Sequence, residues 1–139
     1  MTALVLDTRA LEVIADPKAD LQAAQRMRDM LDSADRMGIP VRVPTVVLAE
    51  AYRGTAADAA IDRILGRGIR PVTLGQATAR QAGHLKHRDR LNSCHTVDAA
   101  VIATAIRFGG GIVATGDPED LRSLARDHAN VKVQPLSGS

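Results

Sequence analysis

Ile112-Val113-Ala114-Thr115-Gly116-Asp117-Pro118-Glu119-Asp120 decides how this chain is read. Four residues without a charge, two of them isoleucine and valine, form a short buried strand. A glycine ends it. Asp117 then stands where a helix cap belongs, with Pro118 at the first helical position, and the helix runs to about His128. A buried strand that turns straight into a helix is the building unit of a parallel sheet.

The same alternation extends outward in both directions. Upstream, Gly109-Gly110-Gly111 ends a mostly apolar helix from Thr96 to Phe108, and Gln76 to Arg90 forms a helix with a basic far end. Downstream, Val131-Lys132-Val133 is a last strand. At the start, Ala3-Leu4-Val5-Leu6 is a strand ending at Asp7, followed by a helix from Thr8 to Ala15 that Asp16-Pro17 stops. Asp20 caps a helix carrying Leu21, Ala24, Met27, Leu31 and Ala34 at helical spacing, with Gly38 past its end. Val41-Arg42-Val43 is a strand, Pro44-Thr45 opens a helix that Gly54 closes, and Thr55 through Leu65 forms another. Ile69-Arg70-Pro71-Val72 is an edge strand, because its proline cannot donate to a ladder. The expected fold is α/β: a three-layer α/β/α sandwich with a central, mainly parallel sheet of four or five strands. Residues 1–135 make one domain and 136–139 a C-terminal tail.

Composition narrows the class. The chain has 139 residues, 45% hydrophobic and 24% charged, the balance of an ordinary globular domain. Aromatic residues are 1%, so Ala, Leu, Val and Ile must build the core. No apolar run approaches the roughly 20 residues that span a bilayer, and the N-terminal segment meets a charge too early for a signal peptide. Cys94 is the sole cysteine, which excludes an internal disulfide and any Cys-based zinc site and gives it no role of its own. The expected compartment is the cytoplasm. The net charge of +2 permits a polyanionic partner without demanding one.

Four acids stand out. Asp7 and Asp117 follow strands, at the sheet edge where α/β proteins bind ligands. Glu50 lies in Val46-Val47-Leu48-Ala49-Glu50-Ala51, and Asp98 in Val97-Asp98-Ala99-Ala100-Val101-Ile102-Ala103, both apolar. A lone ionised carboxylate is costly to bury, and no Arg or Lys stands within a turn of Asp98 on its core side. A shared divalent cation satisfies such acids, and Mg²⁺ or Mn²⁺ prefers oxygen donors. The chemistry this suggests is phosphodiester hydrolysis. His84-Leu85-Lys86-His87-Arg88-Asp89-Arg90 offers a basic face for a nucleic-acid backbone.

Structural alternatives stay open for each member. Asp117 is also a helix cap, Asp7 a loop acid or cap, Glu50 a partner for Arg53, and the basic run a solvated helix face. His95 reads as a surface residue. A phospho-acceptor receiver domain would need a second acid beside Asp7 and a late lysine, and Leu6-Asp7-Thr8 lacks the pair.

Taken together, Leu4-Val5-Leu6-Asp7-Thr8, Val43 through Glu50 with Arg53-Gly54, Thr96 through Ala103, and Ala114 through Leu121 resemble the PIN-domain ribonucleases, specifically VapC-type toxins of type II toxin–antitoxin pairs. The resemblance runs nearly end to end. It implies a Mg²⁺- or Mn²⁺-dependent endoribonuclease, a homodimer, an RNA substrate and a cognate antitoxin, through which promoter DNA is bound only indirectly. Asp7 and Asp98 would be the core metal ligands, Glu50 would complete the cluster or orient the attacking water, and Asp117 would be the fourth acid. Thr115, Asp120 and Thr8 are further site candidates. Lys86, Arg88, Arg90 and Arg9 are candidates for RNA contact. Two positions depart from the pattern. Arg9 stands where a small residue is usual, and could pair with the acids, meet phosphate or block the site. His95 stands where many relatives carry Asp, which favours one metal over two. The alternative function is a non-catalytic PIN-fold module that binds RNA or protein.

Overall fold

A computed structural model describes residues 2–91 and 95–137. Cys94 lies outside them. Five strands form one parallel sheet in the order β3-β2-β1-β4-β5, built from β1 (Ala3–Leu6), β2 (Val41–Pro44), β3 (Ile69–Val72), β4 (Gly111–Thr115) and β5 (Val131–Pro135). Seven α-helices connect them: α1 (Thr8–Ala15), α2 (Leu21–Met37), α3 (Thr45–Ala51), α4 (Asp58–Leu65), α5 (Gln76–Arg88), α6 (Thr96–Arg107) and α7 (Pro118–Ala125). The expected sandwich is the observed one, with all described strand pairs parallel.

The layers follow from the sequence pattern. β1 is buried along its whole length, as a central strand covered on both faces must be. Helix α6 lies across β1, β2, β4 and β5, flanked by α5 and α7, while α1 packs against α2 and α4 on the other face. From Ala99 to Ala105 every residue of α6 is buried, four of them alanine. Small side chains let this helix sit close to the sheet. The core is aliphatic, with Leu6, Leu11, Met27, Ile102, Leu121 and Leu124 among its largest buried side chains. Pro71 lies in β3, at the sheet edge, as its missing N–H requires.

β1 and β4 must lie close, because their ends carry the site. Gly111 starts β4 at φ +144°, and a Cβ there would come within 2.0 Å of the Ala3 carbonyl oxygen. Only glycine permits this approach. No helix among the described residues is long and apolar enough to cross a membrane.

Some boundaries differ from the sequence expectations. Helix α4 starts at Asp58 rather than Thr55, because the Asp58 carboxylate accepts from the Arg53 and Gly54 N–H groups at 3.0 and 2.9 Å and bends the segment before it into a turn. Helix α7 ends at Ala125, three residues short of His128. β5 continues to Pro135, and Leu136, expected in the tail, is buried and donates its N–H to the Thr115 carbonyl at 3.0 Å. Helix α3 ends at Ala51, before Gly54. Tyr52 caps it, and its hydroxyl donates to Asp62 at 2.5 Å.

Candidate metal centre

The strand order reverses between β1 and β4: the chain builds outward from β1 to β2 and β3, then returns to place β4 on the other side of β1. Such a switch point leaves a crevice at the carboxyl ends of the two strands. Asp7 follows β1 and Thr115 ends β4, so both stand at that crevice.

Asp7 ties the two strand ends together. Its N–H donates to the Ala114 carbonyl at 3.1 Å. Its Oδ1 accepts from the Ala10 N–H at 2.8 Å, capping α1, and its Oδ2 accepts from the Gly116 N–H at 3.2 Å. Burial pushes its carboxyl above the ordinary Asp range, against the opposing pull of hydrogen bonds from Thr115 and from the backbone of Ala10, Gly116 and Arg9. The cap role foreseen for Asp7 is therefore real, and it coexists with a place in the crevice. Thr115 is fully buried and accepts from the Asp117 N–H at 2.8 Å. One hydroxyl thus links the two acids that follow β1 and β4.

Asp98 sits in the first turn of α6, partly buried. Burial, then the negative charges of Asp117, Asp7 and Asp120, push its pKa up to about 6, with His95 working the other way. Asp117 is also raised, by lost hydration first and then by the hydrogen bond and charge of Asp120 and the charge of Asp7. Two carboxylates can share a hydrogen bond only when one holds a proton, hence the direction. The Asp117 side chain makes no capping hydrogen bond to α7, so helix capping does not account for it.

Carboxylate oxygens of Asp98, Asp117 and Asp120 lie within 4.8 Å of one another. Asp120, a lesser candidate in the sequence, is thus brought into the centre of the group, and His95 Nε2 stands 3.6 Å from its Oδ2. Asp7 and Glu50 line the same cleft of about 390 Å³ but are outside that tight trio. Glu50 is exposed, which corrects the expectation that its apolar neighbours bury it. It sits in the last turn of the short helix α3 and accepts from the Thr8 hydroxyl at 2.5 Å. Its anticipated partner Arg53 instead meets Glu12 at 3.0 Å. Among the described residues, no Arg or Lys forms an ion pair with Asp7, Glu50, Asp98 or Asp117. An all-oxygen donor set, with Asp7 raised by burial and Asp98 and Asp117 raised by burial and then by neighbouring negative charge, suits a hard divalent cation.

The basic candidates are dispersed. Arg9 lines the cleft and faces Asp20 at 3.5 Å. Lys86 donates to the Thr96 hydroxyl at 2.8 Å, at the start of α6. Arg88 is tied to Asp89 at 2.9 Å, to Asp127 at 2.8 Å and to the carbonyls of Ser123 and Leu124. Arg90 is exposed beyond α5.

Sequence reasoning missed Glu12, which also lines the cleft. Its spacing of four from Thr8 places both on one helix face, a signal that was available. Asp20 was read only as a cap; it caps α2 by accepting from the Ala23 N–H at 3.1 Å, and it lines the cleft as well.

The model of the PIN domain family matches residues 4–127. The chain belongs to the PIN-domain family. A search of curated proteins finds no match. Among solved structures, the chain is similar to one in the crystal structure of VapBC2 from Rickettsia felis bound to a DNA fragment from their promoter. The TM-score is 0.70 at 12% identity, covering 96% of this chain and 98% of that one. At that identity the likeness is one of fold.

Proposed function

We propose that this PIN domain is the toxin of a VapC-type toxin–antitoxin pair and a divalent-metal-dependent endoribonuclease. The observation that carries the reading is the convergence of Asp98, Asp117 and Asp120 at the switch point, beside Asp7, with the carboxyls of Asp7, Asp98 and Asp117 all raised.

Asp7, Asp98 and Asp117 would hold Mg²⁺ or Mn²⁺, with Glu50 completing the set and Asp120 supporting it. When bound, the ion lowers the pKa of a water and neutralises charge on the phosphate. The protein residues do the rest. Glu50, steadied by the Thr8 hydroxyl, accepts a hydrogen bond from the attacking water and orients it in line with the leaving oxygen. Thr115 fixes the approach of Asp7 to the Asp117 backbone. The products are a 5′-phosphate and a 3′-hydroxyl. Lys86 and Arg90 steer the RNA backbone; Arg88, already held by two carboxylates, contributes less. A homodimer and a cognate antitoxin, itself the promoter-binding partner, complete the assembly.

The test is purified Asp98→Asn protein in Mg²⁺ or Mn²⁺. RNA cleavage and growth arrest should fall at least ~100-fold, the scale of losing a group that stabilises developing charge, with circular dichroism unchanged. Wild-type rates in the variant would sink the reading.

A further inference from the structure

Among the described residues, the cleft wall holds six carboxylates, Asp7, Glu12, Asp20, Glu50, Asp98 and Asp117, and a single cationic side chain, Arg9. A polyanion entering such a wall meets strong repulsion unless positive groups receive it. We propose that Arg9 is the phosphate-binding residue of this cleft, held ready by Asp20 and seated on the bare Cα of Gly116. This rests on the ribonuclease reading above and adds to it the side chain that grips the substrate.

The placement is built, not incidental. Arg9 is the second residue of α1, the helix that Asp7 caps. Its stem lies across Gly116, where a Cβ would come within 2.5 Å of Arg9 Cγ and 2.8 Å of Arg9 Cβ. A residue larger than glycine between Thr115 and Asp117 would push this stem aside. The Arg9 side chain is 43% exposed, and its guanidinium meets Asp20 at 3.5 Å, beyond hydrogen-bonding contact between well-aligned partners. Asp20 already spends its other oxygen on capping α2. The tether is loose enough to yield to a phosphate, which offers the planar guanidinium two parallel hydrogen bonds. Arg53, the partner of the cleft residue Glu12, is already engaged by that carboxylate at 3.0 Å.

The experiment compares wild type, Arg9→Met and Arg9→Lys. Methionine keeps an apolar stem over Gly116 and removes the charge; lysine keeps the charge and loses the fork. Binding of a short labelled single-stranded RNA is followed by fluorescence anisotropy, with Ca²⁺ replacing Mg²⁺ to hold back cleavage. Arg9→Met should bind about tenfold more weakly, and its salt dependence should be shallower by about 0.7 in log–log slope, the value for one lost phosphate contact on a single strand. Arg9→Lys should lose less affinity and keep the slope. Mn²⁺ affinity, measured by calorimetry, should be unchanged or tighter in Arg9→Met, since a like charge has left the metal's surroundings. Equal or tighter RNA binding by Arg9→Met would overturn the proposal and leave Arg9 as a plug or counter-ion for the acids. Weaker Mn²⁺ binding would overturn it too, by making Arg9 a support of the metal centre. A wild-type protein that cuts RNA with an unchanged Arg9→Met removes this inference alone; one that neither binds nor cuts RNA removes the ribonuclease reading with it.

Discussion

Burial, and then the negative charges of Asp117, Asp7 and Asp120, raise the proton affinity of Asp98, with a sign that can be measured. The folded-state pKa of about 6 lies above the ordinary Asp value of 3.8. The folded protein therefore holds this proton more tightly than the unfolded chain does. The stabilisation is fully present below about pH 4 and is lost as pH rises through 6. In metal-free buffer, Asp98→Asn mimics the protonated state. It should be more stable than wild type by about 1–2 kcal/mol at pH 8, a figure discounted for partial exposure and shared charge. The gap should close at pH 4. Urea midpoints at the two pH values check this, and a variant less stable than wild type at pH 8 would contradict it. The sequence already marked Asp98 by its apolar flanks. It misjudged Glu50 because apolar neighbours describe only one face of a helix, and Glu50 stands on the other face of a seven-residue one. The place of Asp120 beside Asp98 was not legible locally, because another helix supplies Asp98.

At the scale of elements, helices α5 and α7 are locked by an acid that no local pattern marks out. Asp89, at the end of α5, has a side chain only 3% exposed. It accepts from Arg88 at 2.9 Å, Arg126 at 2.8 Å and Ser123 at 3.2 Å. Burial alone would raise its pKa, but the hydrogen bonds and charges of Arg88, Ser123 and Arg126 prevail and hold it below the ordinary value. Its linkage is opposite to that of Asp98: the stabilisation is present above the unfolded-state pKa and is lost as pH falls through the depressed one. Asp89→Ala should cost about 2 kcal/mol at pH 7, the scale of hydrogen bonds to charged groups, and the penalty should shrink in strong acid. Thermal melts across pH test it; a pH-independent penalty would assign the loss to packing instead. Two of its partners, Ser123 and Arg126, lie over thirty positions away, so no local pattern exposes the lock. By contrast, strands and caps that depend on adjacent residues were legible: the four apolar residues of β1, the cap at Asp20 and the edge proline Pro71 all stand as the sequence indicated.

For the whole molecule, the five-stranded order places two acid-bearing strand ends side by side, and a cation should couple to folding there. Mg²⁺ or Mn²⁺ at ten times its dissociation constant should stabilise the protein by about 1.4 kcal/mol, a few degrees in Tm. At one fixed ion concentration the effect should be larger at pH 8 than at pH 5, where the ion must displace the Asp98 proton. Differential scanning calorimetry with and without chelator reads both numbers. An equal shift at the two pH values would mean that the ion binds elsewhere. The order of strands was not legible in the sequence, since it depends on where β4 inserts; only the parallel character was.

The hydrogen bond between Tyr52 and Asp62 has an optical consequence. The chain contains no tryptophan and a single tyrosine, so its absorbance at 280 nm and its emission excited there come from one chromophore. That ring stands two residues beyond Glu50, and its bond to Asp62, the main cause, pushes the phenol pKa up to about 12. Tyrosinate absorbance stays silent through ordinary alkaline titrations, and protein concentration read at 280 nm rests on this one ring. Any emission change when RNA or metal is added reports from the end of α3, next to the turn that carries Glu50, without a label.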